Sequence, residues 1–283
     1  MFSLKLENDS NNIVDINDEI NYVVLDVTGL NPPSASIFTS KSPNRKGVKY
    51  NGSTLNERNI VITIKLLGDI EANRNALYEW VDTEQYVKVR YANGLKNVYC
   101  EGHVQDCEIE MFTDNEVVEL AIVCENPYWK DLQEISADIS LLLKQFTFAF
   151  AIDSNGIPFS TINENNKTNI FNYGAETGVV ITAKCLGTVT NLNIYNANNT
   201  AEYFKINTTL YENEIVEIDT EHSPKTCKLI RSDGTVENIL KYVVPNSTWF
   251  TLKKGINVFS CSADSGATDV EVKVNFTNKY LGV

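Results

Sequence analysis

The sequence is short of the residues that most often carry chemistry. Only two of its 283 residues are histidine, His103 and His222. A Ser-His nucleophile pair or a histidine-rich metal centre has almost nothing to draw on. His103 lies between Cys100 and Cys107, but strand alternation puts it on the opposite face from Cys100, and no fourth ligand is evident. No GxSxG elbow supplies His222 with a serine. Gly-rich phosphate loops are missing, and Asp264 to Ala267 (DSGA) reads as a turn. The stretch from Asp9 fails as a calcium loop because Ile13 stands where an oxygen ligand is required. The 37 acidic residues show no recognisable glycosidase pair. No enzymatic activity, metal or cofactor is expected.

Long apolar runs are lacking too. The longest, Leu141 to Ile152, is broken by Lys144 and Gln145 and falls short of the ~20 residues of a spanning helix, so no membrane partner is expected. The opening MFSLKLENDSNN has no apolar signal core. Positive charge is scarce: 24 Lys and Arg against 37 Asp and Glu give −13, with no basic run, which disfavours nucleic-acid binding. Six cysteines (100, 107, 124, 185, 227 and 261) lack the dense spacing of a disulfide scaffold and fall mostly in apolar β runs, where a reduced thiol acts as a small hydrophobe. Asn-x-Ser/Thr triplets at Asn51, Asn207 and Asn275 are ascribed to the abundance of Asn.

What is present is β-pattern. Phe2, Leu4 and Leu6 alternate, and Tyr22 to Val27 form an apolar run that stops at Thr28-Gly29. The polar stretch Asn31 to Ser53, with Pro32, Pro33 and Pro43, reads as a long loop or extended arm, serving an intersubunit or luminal contact or else only a mobile surface loop. Ile60, Ile62, Ile64 and Leu66 mark a strand with one buried face. Asp69 is placed to cap a helix to about Val81, with Ile70, Leu77, Val81 and the stem of Arg74 on one face and Glu71 at the positive end of the dipole. A hairpin then turns at Asn93-Gly94. In the return strand Val98, Cys100 and Val104 are followed by Cys107, Ile109 and Met111, and the change of parity near Gln105 and Asp106 predicts a β-bulge. Val117 to Cys124 completes this sheet before Asn126-Pro127.

Asp131 to Gln145 fits either a helix or a linker leading into a strand at Phe146 to Ile152, and the boundary is placed here: residues 1–135, then 136–283. Beyond it, short strands separated by turn residues, among them Trp249 to Leu252 and a hairpin at Ser232 to Thr235 (SDGT), argue for a β-sandwich. Trp80, Trp129, Trp249 and the 13 tyrosines serve either as core and interface anchors or as sugar-stacking platforms.

One set of features resembles a known family. Asn51-Gly52-Ser53 precedes Arg58 at the head of the alternating strand; a single helix follows, then Gly102 in YCEGHV, then Pro127-Tyr128-Trp129. The likeness continues through FTFAF (146–150), FNYGAET (171–177), EIVEIDT (214–220), RSDGT (231–235) and KKGIN (253–257). In order and spacing these motifs resemble the distal tail proteins of long-tailed phages. The resemblance implies a mainly β protein: an N-terminal β-sandwich belt domain with one α-helix and an extended arm, and a C-terminal galectin-like β-sandwich without the His, Asn and Arg set that holds galactose in galectins. It further implies a homo-hexameric ring at the virion tail tip, assembled in the bacterial cytoplasm, with the tail tube protein and tail-associated lysin, hub or receptor-binding proteins as partners. In such a ring Glu101, Asp106, Glu108 and Glu110 are candidates for an acidic lumen that does not retain passing DNA. The alternative is a carbohydrate-binding module for host cell-wall polysaccharide, carried by the second sandwich with Trp249 or surface tyrosines as stacking groups.

Overall fold

The computed structural model describes residues 2–8, 12–43, 46–81, 86–111, 116–139, 142–144, 160–162 and 167–283. The expected strand at 146–152, with its FTFAF motif, lies outside them. Two compact units form: residues 1–132 with 279–283, and residues 133–278. The last five residues therefore fold with the first unit rather than with the domain that precedes them.

The first unit contains β1 (Ser3–Asn8), β2 (Ile13–Asp15), β3 (Tyr22–Val27), β4 (Ala35–Ser40), β5 (Lys49–Leu55), β6 (Arg58–Leu66), α1 (Ile70–Trp80), β7 (Tyr86–Ala92), β8 (Asn97–Ile109), β9 (Val117–Cys124) and β10 (Trp129–Asp131). The strands of its main sheet run in the order β2-β1-β7-β8-β9-β6-β3. Alternation sets its faces. Leu4 and Leu6, Ile60 to Leu66, Val87 and Val89, and Val118 to Cys124 turn every second side chain into one core with Leu77 of α1. Asp69 caps α1 as expected, its carboxylate accepting from the Ala72 N–H at 3.1 Å. Of the expected apolar face Leu77 and Val81 are buried, while Arg74 pairs with Glu116 at 2.9 Å. The expected bulge is present between Val104 and Asp106.

One expectation is corrected and one open choice is settled. The expected hairpin is present, but its turn is wider than Asn93-Gly94: β7 and β8 close at Ala92 and Asn97, and neither Asn93 nor Gly94 has a positive φ. The Asn93 side chain instead accepts from the Leu95 and Lys96 N–H groups at 2.9 and 2.8 Å, which stabilises a four-residue loop. Of the two readings of residues 31–53, the extended arm holds rather than the loop. The arm is a β-hairpin, β4 against β5, with Asn51 as the extra residue of a bulge between Phe38 and Thr39.

The second unit contains β11 (Ile135–Asp138), β12 (Leu142–Lys144), β13 (Ser160–Ile162), β14 (Thr168–Asn172), β15 (Val180–Cys185), β16 (Val189–Thr190), β17 (Asn193–Asn196), β18 (Asn199–Lys205), β19 (Thr209–Leu210), β20 (Ile215–Asp219), β21 (Thr226–Ile230), β22 (Val236–Asn238), β23 (Gly255–Ser262) and β24 (Val270–Phe276). The sheets β11-β24-β15-β20-β21-β22 and β14-β23-β17-β18 share one apolar core, a β-sandwich. Residues 135–138, left open between helix and linker, are the strand β11. Trp249 to Leu252 makes no ladder beyond a bridge from Leu252 to Thr177. The final β25 (Lys279–Tyr280) pairs with β10 in the first unit. The fold is mainly β, and α1 is the one α-helix among the described residues.

Candidate assembly site

Arg58 occupies the first inward position of β6, in line with Ile60 and Ile62, so its side chain enters the end of the core and is 2% exposed. Among the described residues it meets no carboxylate there. Nε donates to the Pro127 carbonyl at 2.8 Å, Nη1 to those of Gly29 and, at 2.7 Å, Asn31, and Nη2 to that of Leu281 at 2.6 Å. The guanidinium also lies 5.4 Å from the centre of the fully buried Trp129 ring. Burial lowers its pKa, an effect opposed by the neighbouring Cys100 and Cys124 thiols. One cation thus ties the root of the arm, the β9–β10 link and the chain's end to the head of β6.

Glycines and a tyrosine shape the backbone of the same unit. Gly29 has φ +83°, and a Cβ there would fall 2.3 Å from the Asn59 carbonyl oxygen, so only glycine lets its own carbonyl reach Arg58. At Gly102 a Cβ would lie 2.4 Å from the Val123 oxygen and 2.9 Å from Cys124 Sγ. The glycine is what lets β9 lie so close to β8. Tyr128 sits 5.9 Å from the Lys279 ammonium. Gly52, at φ +149°, follows the bulge of the arm. Sequence reasoning picked out Arg58, Gly102, Pro127, Tyr128 and Trp129 as a motif but missed Gly29 and Leu281. Thr28-Gly29 had been read only as the end of a strand.

In the second unit the motif residues fix backbone with neutral groups. Asn172, wholly buried, donates to the carbonyls of Ala175 at 2.7 Å and Leu252 at 2.9 Å. Thr220 Oγ1 accepts from the Val179 N–H at 2.8 Å and donates to the Phe250 carbonyl at 2.7 Å. Asn257 closes the Lys253 to Gly255 turn.

Two surfaces of the first unit stand out. Every residue of β4 is exposed, and the hairpin shows water Ile37 (65% exposed), Phe38 (53%) and Tyr50 (61%). Alternation divides Ile37 and Phe38 between its two faces. A two-stranded hairpin with neither face covered is marginal by itself. The second surface is the outer face of β8. Because the bulge restores parity, Glu101 and then Asp106, Glu108 and Glu110 share that face. Glu101 is neutralised by Lys130 at 3.1 Å. Asp106, Glu108 and Glu110 are exposed, and Glu108 stands directly opposite Glu119, a like-charge pair.

Chemistry is not gathered in this way. His103 is exposed while Cys100 is buried, as alternation requires, and no group of three potential metal ligands occurs among the described residues. His222 is bound to Asp219 at 2.7 Å. All six cysteines are free thiols.

Comparison with known proteins agrees with an architecture of this kind. Residues 174–280 match the family described as siphovirus-type tail component, C-terminal domain. A crystal structure of the Dit protein (gp 19.1) of phage SPP1 matches with a TM-score of 0.69 at 13% identity, over 98% of this chain and 99% of that one. A chain of the phage P2 baseplate, in its activated conformation with calcium, matches with a TM-score of 0.54 at 12% identity over the whole of both chains. No curated protein sequence matches. Residues 174–280 are thus similar to a phage tail component, and the whole chain shares its fold with proteins of phage tails and baseplates. This likeness agrees with the resemblance to distal tail proteins read from the sequence motifs.

Proposed function

We propose that the chain forms a homo-hexameric ring at the tip of a phage or phage-derived tail, joining the tail tube to the tail-tip machinery and letting DNA pass. The observation that carries this reading is the whole-length likeness in fold to the SPP1 protein, described as a hub of the adsorption apparatus of phages infecting Gram-positive bacteria. The uncovered apolar hairpin supports it, since a ring neighbour would bury the exposed side chains of β4 and β5. Its partners are further copies of itself, the tail tube protein and a tail-associated lysin, hub or receptor-binding protein. Its place is the virion tail tip, after assembly in the host cytoplasm.

Within the ring, Asp106, Glu108 and Glu110 face the bore, with Glu101 contributing less because Lys130 compensates it. Six-fold repetition of these carboxylates makes a passage to which DNA does not adhere. Co-expression with the tail tube protein, followed by native mass spectrometry and reconstruction of the particle, tests both claims. Six copies around an acidic bore are expected. A monomer in the presence of that partner contradicts the ring, and a ring with a neutral or basic bore contradicts the lumen assignment alone.

A further inference from the structure

The second unit carries a small cavity of about 210 Å³ between the β17–β18 hairpin, β23 and the ladder-free segment around Trp249. Its volume is below the ~300 Å³ at which drug-sized pockets begin, so its occupant is small. Its walls are of two kinds. Trp249 is half-buried, meets Phe204 edge to face at 5.0 Å and supplies an aromatic wall. Around it stand Asn196, Glu202, Lys253 and Asn257.

Asn196, Glu202 and Asn257 are held in place before any ligand arrives, while Lys253 is exposed at the rim. The Glu202 carboxylate accepts from the Asn196 and Asn199 side-chain amides, one on each oxygen, both at 2.9 Å. These two bonds, with Lys253 nearby, keep its carboxyl below the usual carboxylate range, so it is an ionised acceptor at neutral pH. Each of its oxygens keeps a lone pair for a further donor. Asn257 is locked by bonds between its side chain and the backbone of Lys253 and Gly255. One carboxylate and one ammonium cancel, so the cavity favours neither an anion nor a cation. An aromatic wall facing fixed, acceptor-rich polar groups matches a ring that is apolar on its C–H face and carries hydroxyl donors at its edge.

We propose that the Trp249 cavity binds one neutral pyranose ring of a saccharide. Glu202 accepts from two ring hydroxyls, Lys253 donates to a third, and Trp249 stacks on the C–H face. The site is independent of the ring assembly and acts whether or not the chain is a ring component.

The test is titration of the full-length, ¹⁵N-labelled protein with the methyl glycosides of glucose, galactose, N-acetylglucosamine and rhamnose, following the three tryptophan indole signals. The Trp249 signal is assigned with Trp249→Phe. At least one glycoside should move that signal saturably and leave those of Trp80 and Trp129 in place. Glu202→Gln should weaken binding at least fivefold with an otherwise native spectrum. Lys253→Ala, at an exposed position, should weaken it less and serves should Glu202→Gln misfold. No saturable shift with any of the four, undiminished affinity in both Glu202→Gln and Lys253→Ala, or an equal response to inorganic phosphate overturns the proposal.

Discussion

The two units solve one problem, holding loops and chain ends against a β core, with different chemistry. In the first a buried guanidinium gathers four backbone carbonyls drawn from sequence separations of up to 223 residues. In the second the buried fasteners are the neutral side chains of Asn172 and Thr220. The arginine with strong partners there, Arg231, stays partly in water: its side chain is 41% exposed and reaches the buried Glu214 at 2.9 Å and Glu237 at 2.6 Å. A buried cation satisfied only by carbonyls is costly to desolvate and loses much when an acceptor is removed. An ion pair whose cation remains in water gains less and loses less. The difference locates the vulnerable point of the molecule at Arg58, where the root of the exposed hairpin is also held.

The strongest test of that contrast is Arg58→Met. Removing the donor leaves the carbonyls of Gly29, Asn31, Pro127 and Leu281 without it. The expected loss is about 3–5 kcal/mol, confined to the first unit. Hydrogen exchange resolved by peptide should show faster exchange across β6, β9 and β10 and unchanged protection in β15 and β24. Loss of protection in both units alike would break the comparison.

Truncation after Asn278 comes next. It removes β25, the Leu281 acceptor, the Lys96 contact to the Gly282 carbonyl at 2.6 Å and the Val283 N–H bond to Leu30. A loss of about 2–3 kcal/mol is expected, again from the first unit, although the deleted residues follow the second in sequence. If urea unfolding followed by exchange places the loss in β24 or β15 instead, the assignment of the chain's end is wrong. Gly102→Ala is expected to cost about 1–3 kcal/mol, because the added methyl meets the backbone oxygen of Val123 and one strand must shift. An unchanged denaturation midpoint would mean that β8 and β9 separate freely there. At the small end, Arg231→Ala is expected to lower the midpoint of the second unit modestly, since the buried Glu214 carboxylate it leaves still accepts from the Tyr211 N–H at 2.8 Å, and a loss as large as that of Arg58→Met would erase the contrast.

Local features of this design were legible in the sequence, and its long-range connections were not. Asp69 announced a cap and the parity change at Gln105 and Asp106 announced a bulge, since each is written within one or two turns of chain. Asn93-Gly94 misled because a side-chain acceptor two and three residues back stabilises a longer loop as well as glycine stabilises a short one. The arm was recognised by its polarity and prolines. Its pairing was hidden because, with no face buried, its strands carry no alternation. Arg58 stood out as a motif residue, but no local pattern could say that its partners include the carbonyl of Leu281. The strip at Asp106, Glu108 and Glu110 was readable once the bulge was placed, whereas the pairing of Glu101 with Lys130 required β10 to be laid beside β8.

The measurement that bears most directly on the assembly is a reconstruction of the particle formed with the tail tube protein, read for copy number and for which residues lie between neighbours. The account predicts six copies, with Ile37, Phe38 and Tyr50 of the hairpin buried against an adjoining subunit. A single copy, or a ring whose subunits meet only through residues 133–278 with the hairpin still exposed to solvent, would contradict it.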